Sequence, residues 1–345
     1  MFSAVRRLLL CLMLGLYSAT IFSAPSLPKT GEIAEQHARY IAGHFPGRMA
    51  GTPAEQLTAD YLMQQFKSWG YQSDIRQFTV RYPHTQADDQ QSGQNITGNS
   101  VIAVHPGKEP QQIIIMAHLD TWIPQSDQDR DNNLGGLSLQ GVDDNASGLG
   151  VMLELAERLR NTSTRYSIRF IATSGKQLDA AGARSVLQRM SPEEQKNTLL
   201  VINLESLIVG EKLIFSSSPS MSAAIRKLSR DKAIALAHQF AIPTAIQSDI
   251  LSSKESDLYQ EVALFDDVGI PVLSVVSARH QVSKKYPQQQ RAIGKAFPEG
   301  TVRHQAARDN MQYLDKWLPG KIKQRSRDSV RIMLPLVKSL AKAEK

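Results

Sequence analysis

The sequence predicts an α/β protein, a three-layer α/β/α sandwich around a central mixed, mostly parallel sheet, and two observations carry that prediction. Short runs rich in β-branched residues, Ile113–Met116, Ile168–Thr173 and Leu199–Leu204, are apolar on both faces. Such runs suit strands at the centre of a sheet that is covered on both sides. Segments of helical period lie between them, and the resulting βαβ alternation has no linker or repeat.

The chain has 345 residues and 41% apolar content, enough to bury a sizeable core. It opens with Arg6 and Arg7, an apolar run from Leu8 to Tyr17, and small residues through Ala24. That order is the plan of a secretory signal peptide, and the run is too short to span a bilayer as a helix. Residues 1–26 are therefore expected to be a removed leader, cut after Ser23 or Ser26, with 27–345 as a single domain. Cys11, the only cysteine, falls inside the leader. The exported chain then has no disulfide, thiolate zinc site or cysteine nucleophile. Without Arg6 and Arg7 the formal charge of +7 becomes about +5, a mild excess that makes no case for a nucleic-acid partner. No later segment is apolar enough for a transmembrane helix.

Glu32 to Ala42 is helical in pattern. In Gly51-Thr52-Pro53-Ala54-Glu55, Thr52 can cap a helix, Pro53 fits its first turn, and Glu55 closes a capping box. Leu57, Tyr61, Leu62, Phe66 and Trp69 form its apolar face, and Gly70 ends it. Extended segments follow at Phe78–Tyr82 and Ser100–His105, with polar Pro83–Gly98 expected as an exposed excursion. Further helices are expected at about Gly148 to Leu159 and Gly182–Met190, and another buried strand at Pro271–Val276 after the apolar run Val262–Val268. A basic amphipathic helix runs from about Ile322, its charges read as a solvated face. Thr121–Gln140 is a long loop directly after a buried strand, where open α/β sheets place ligands. Its Asp127-x-Asp129-x-Asp131 lacks the glycine and the distal acid of a calcium loop and reads as solvated.

Four polar clusters sit at the ends of the apolar strands or beyond them: His118-Leu119-Asp120, Gly141–Gly148 with Asp143, Asp144 and Asn145, Leu204-Glu205, and His304 with Asp309. Taken singly, His118 and Asp120 also read as a satisfied strand-end pair, Asp144 and Asn145 as a helix cap, and His304 as an inert loop residue. Together they read as one site, because imidazole and carboxylate groups at neighbouring strand ends supply the donors that divalent metals take.

The order of these clusters resembles the dizinc aminopeptidases of the bacterial leucyl aminopeptidase type. The likeness runs through Phe45–Met49 with Gly51-Thr52-Pro53, Ile113–Asp120, Gly141–Leu159, Val201–Gly210 and Met333–Lys338. It implies a zinc exopeptidase fold, a periplasmic location and peptide or protein N-termini as partners, with a taste for basic N-terminal residues. It also implies that His118 and Glu205 hold one zinc, and that Asp144 bridges to a second zinc held by His304. Asp120 would orient His118, and Asp309 would stand behind the ligands. In the family the strand ending at Thr173 leads into a Glu-Glu pair, first the general base and then a ligand of the zinc bound by His304.

Here that pair is replaced by Lys176 and Gln177, and position 205 is Glu where the family usually has Asp. The general-base position therefore holds an ammonium, and the altered ligand position holds an amide, a weaker partner for zinc. Two family Glu, the bridging Asp and the ligand Asp sum to −4, whereas Lys176, Gln177, Asp144 and Glu205 sum to −1. An ammonium about 5 Å from a divalent cation costs about 7 kcal/mol at an effective dielectric near 20. A buried lysine could lose its proton to avoid this, and Asp179, three residues on, is a second candidate base with a surface position as its plainer reading. The expectation is one zinc rather than two, at His118, Asp144 and Glu205, with peptidase activity weak or lost. A fully active remodelled aminopeptidase, a non-catalytic peptide-binding pseudopeptidase and a different one-metal hydrolase are the alternatives.

Overall fold

The three apolar runs become the centre of one eight-stranded sheet. The computed structural model describes residues 27–247, 259–279, 289–291 and 295–344, so the expected leader and Cys11 lie outside the described residues. The strands are β1 (Gln72–Thr85), β2 (Gln91–His105), β3 (Glu109–His118), β4 (Tyr166–Thr173), β5 (Thr198–Glu205), β6 (Lys212–Ser217), β7 (Thr244–Ile246) and β8 (Val272–Ala278). They stand in the order β1-β2-β4-β3-β5-β8-β6-β7. The β4-β3-β5-β8 core is parallel, β1 and β2 pair antiparallel with their neighbours, and β6 runs antiparallel to β8 but parallel to β7.

The sheet separates two apolar layers. Ile113, Ile115 and Ala117 of β3 join a cluster with α1 (Glu32–His44), α2 (Pro53–Ser68), α3 (Ser147–Leu159) and α6 (Lys321–Leu340). Ile114 and Met116 point the other way, into a cluster with α4 (Ala181–Arg189) and α5 (Tyr259–Asp266). Both faces of β3 are thus dry, as a near-continuous apolar run requires. No helix among the described residues is long and apolar enough to cross a membrane.

Two local readings are corrected. Thr52 does accept from the Glu55 N–H, but Glu55 does not return the bond to complete a capping box. Its carboxylate is buried and accepts from Asn99 N (2.6 Å) and Asn99 Nδ2 (2.7 Å), pinning α2 to β2. Leu57 is exposed rather than part of the apolar face, whose inward residues are Glu55, Thr58, Ala59, Leu62 and Phe66. Pro83–Gly98 is largely exposed, as expected, and forms the outer half of the β1–β2 hairpin, with Pro83 opposite Gly93 and Phe78 opposite Gly98. Its polar sequence fits a ribbon that is mostly in solvent, with Ile96 packed on a small apolar cluster. The hairpin tip rests on the Thr121–Gln140 loop through Thr85 N to Gln125 O (2.9 Å). That loop also contains a short helix, Asp127–Asp131, capped by Ser126.

Candidate metal centre

Parallel strands carry their last residues to a common edge. His118 ends β3 beside Thr173, its register partner at the end of β4, and Glu205 ends β5. Leu119 N donates to Thr173 O (2.7 Å), continuing the pairing one residue past His118. The fourth element is the wide turn Val142–Ala146 that precedes α3, in which Asp144 and Asn145 leave helical backbone geometry. Gly141 opens it at φ 55°, and a Cβ there would meet the Asp144 carbonyl at 2.5 Å, so glycine is required.

The turn is tied down from three sides. Asp309 accepts from Asp143 N (2.8 Å) and Asp144 N (3.1 Å). Asn145 accepts from Gly148 N and Ser206 N (3.1 Å each) and donates to Leu204 O (2.9 Å). It therefore takes one free N–H of the first turn of α3 and fastens the wide turn to β5. Arg48, fully buried, donates to the carbonyls of Leu119, Gln140 and Gly141.

His118 Nε2 lies 3.1 Å from Asp144 Oδ1, and Ser206 Oγ donates to the same oxygen (3.1 Å). His304 Nε2 approaches the other Asp144 oxygen at 3.5 Å, its ring stacked on Trp122 with centroids 3.8 Å apart. Ligand atoms of His118, Asp144 and Glu205 lie within 4.8 Å of one another, and all three residues are buried. Among the described residues this is the only such group, a possible place for one metal ion.

Asp120 sits differently from a simple imidazole partner. His118 Nδ1 is 3.0 Å from the Asp120 main-chain oxygen and 3.5 Å from its carboxylate. The carboxylate instead accepts from Gly175 N and Lys176 N (3.1 Å each), fixing the loop after β4. Lys176 is 3% exposed, and its Nζ donates to Glu205 Oε1. The expected metal position is thus contacted by a cation of the chain itself. The side-chain amide atoms of Gln177 have no hydrogen-bond partner among the described residues, and its main-chain carbonyl accepts from Gln125 Nε2 (2.9 Å). Asp179 stays on the surface, paired with Arg184 (2.6 Å). Asp127 likewise engages His84 and Arg130.

Charge follows this packing. Burial pulls the Lys176 amine down, but Glu205, Asp144 and Glu261 outweigh it and raise it above the ordinary lysine value. Lys176 is therefore an ammonium rather than a neutral amine at neutral pH. Burial would raise the Asp144 carboxyl, yet Lys176, His118 and His304 hold it well below its usual range. Burial and Lys176 depress the His118 ring, and Asp120 and Asp144 reverse this, lifting it to about 9.

Glu261, on α5, is the acid that sequence reasoning missed. It accepts from Thr173 Oγ1 (2.8 Å) and its other oxygen has no partner among the described residues. A lone acid just ahead of the apolar Val262–Phe265 stretch was the available signal. Trp122 and Ser206 carried none.

Residues 100–330 match the model of Peptidase family M28. The chain is 54% identical over 345 residues to the alkaline phosphatase isozyme conversion protein of Escherichia coli (strain K12), covering 99% of this chain and 100% of that one. Among solved structures it is similar to BSAP, a zinc aminopeptidase from Bacillus subtilis, with TM-score 0.66 and 13% identity over 93% of this chain and 97% of that one. An aminopeptidase from Aneurinibacillus sp. strain AM-1 gives TM-score 0.63 and 15% identity over 91% and 95%.

Proposed function

Because this chain belongs to peptidase family M28, we propose that it is an exported protein of zinc-aminopeptidase type that keeps a cleft for peptide or protein N-termini while its peptidase activity is weak or lost. In this reading residues 1–26 are a leader, residues 27–345 form one domain in the periplasm, and basic N-terminal residues of exported proteins are the preferred partners. The similarity to a protein named for the conversion of alkaline phosphatase isozymes supports a protein partner.

His118, Glu205 and Asp144 take the roles of one metal position, and Asp144, His304 and Gln177 those of the other. Asp120 positions Lys176 through its main chain and lies beside His118. Asp309 sets the backbone of Asp144. A zinc bound there would polarise a peptide carbonyl and acidify a water. Hydrolysis then needs a group that accepts the water's proton.

The observation that carries the reading is the buried Lys176–Glu205 ion pair at the position where that base belongs. An ammonium held by a carboxylate cannot accept a proton, and loss of general-base help removes about 10²–10⁴-fold in rate. Asp179, turned to Arg184 on the surface, offers no replacement.

Release of arginine or leucine from aminoacyl anilides by the purified chain tests this. Turnover at least about 100-fold below that of an active aminopeptidase is expected. The double change Lys176→Glu with Gln177→Glu is expected to raise it. Vigorous wild-type turnover would overturn the reading in favour of a working, remodelled aminopeptidase, which the gathering of His118, Asp144 and Glu205 favours.

A further inference from the structure

His118, Asp144 and Glu205 suit zinc in kind and spacing. With Lys176 in place they do not fit an added ion, because Nζ already holds Glu205 Oε1. We infer that the Lys176 side chain is the resident cation of this cradle and excludes zinc from the His118–Glu205 position. This rests on the reading above and deepens it: the defect lies in metal occupancy as well as in the missing base.

Three features fix the lysine there. A buried ammonium must be paired, and Lys176 is 3% exposed against a Glu205 that is 1% exposed. Its main-chain N–H and that of Gly175 are both held by Asp120, so the stem starts from a set point. Glu205 leaves its other buried oxygen without a partner among the described residues, so the carboxylate has no competing donor to draw it away from the ammonium. A divalent ion in the same place would draw the same carboxylates but would meet a positive charge within a few ångströms. It enters only if that charge is gone.

Zinc titration by calorimetry, with metal analysis of the full chain after dialysis against chelator, tests this. The wild-type chain is expected to take no zinc that depends on His118, and its melting temperature is expected not to respond to chelator. Lys176→Met, which is neutral, similar in length and not a ligand for hard divalent ions, is expected to take about one zinc at least about 100-fold more tightly than wild type. Lys176→Arg keeps the charge and is expected to take none. Zinc gained by Lys176→Met counts only where adding His118→Ala removes it, which zinc on a misfolded chain would not show, and the wild-type result needs no variant. The inference is overturned if wild type holds an equivalent of zinc that His118→Ala abolishes, or if folded Lys176→Met gains nothing. Zinc lost only in His304→Ala sits at the other position and leaves the inference standing. The two readings separate cleanly. A chain that hydrolyses anilides without zinc at His118 sinks the weak-peptidase reading alone, and one that holds zinc there but is inactive sinks only this inference.

Discussion

Asp309 reaches across the fold to accept a hydrogen bond from the main-chain N–H of Asp144 at 3.1 Å, and its other oxygen takes the N–H of Asp143 at 2.8 Å. The residue that supplies the central carboxylate is therefore placed by an acid 165 positions downstream. Asp309→Ala strands two buried donors, each costing about 1–3 kcal/mol. A loss of about 3 kcal/mol in urea unfolding is expected, with Asp309→Asn milder because it keeps one acceptor. A change below about 1 kcal/mol would show that the turn holds itself.

Gly150 lies inside α3, where helix propensity alone favours alanine by about 1 kcal/mol. Packing reverses the sign. A Cβ at Gly150 would sit 2.3 Å from the Ala34 carbonyl of α1. That same helix is capped by Glu154, which accepts from Gly31 N and Ala34 N at 2.8 Å each. Gly150→Ala is expected to cost about 2 kcal/mol or more by overpacking. A stabilised variant in thermal unfolding would refute the close approach.

The Glu55–Asn99 contact carries a pH signature. Burial raises the Glu55 carboxyl to about 7, against the lowering effect of the Asn99 bonds. Because the folded value exceeds the unfolded value of 4.5, the native state binds the extra proton. Its contribution is complete below pH 4.5 and fades as the pH rises through about 7. The stability difference between wild type and Glu55→Gln should therefore shift towards the variant by about 3 kcal/mol between pH 4.5 and pH 8. A pH-independent difference, measured by denaturant titration across that window, would contradict the assignment.

Arg48 explains why the Phe45–Met49 segment matters to a site it does not enter. Its fork ties the loop after β3 to the start of the Asp144 turn through three carbonyls. Lysine cannot reproduce that fork. Arg48→Lys is expected to cost about 2 kcal/mol, and Arg48→Met more, since three buried carbonyls lose their donor. Equal stability of wild type and Arg48→Met would show that water takes over.

The fold was readable where one physical signal dominates. Ile113–Met116 could hardly be anything but a strand buried on both faces, and His118, Asp144 and Glu205 follow from strand ends and a turn. What was illegible depends on partners distant in sequence. Nothing local in Thr52–Glu55 says that Glu55 leaves its own helix for Asn99. Glu261 lies 88 residues from Thr173, which orients it, and no spacing rule links them. Lys176 was legible as a misfit at its position, but its pairing with Glu205 emerges only when β4 and β5 flank β3.

The β1–β2 hairpin also bears on how the chain behaves in a crowd. β1 is an outer edge of the sheet, and such an edge invites another molecule to add a strand. Gln77 turns its carbonyl outward and gives it to Arg189 (2.6 Å). Pro83 shares that parity and has no N–H to offer, and Thr85, next in line, is already bonded to Gln125. At the far side β7 is only three residues long. Among the described residues these contacts along β1, and so short a strand at the other margin, leave less of a free template on which copies of the chain could add a strand.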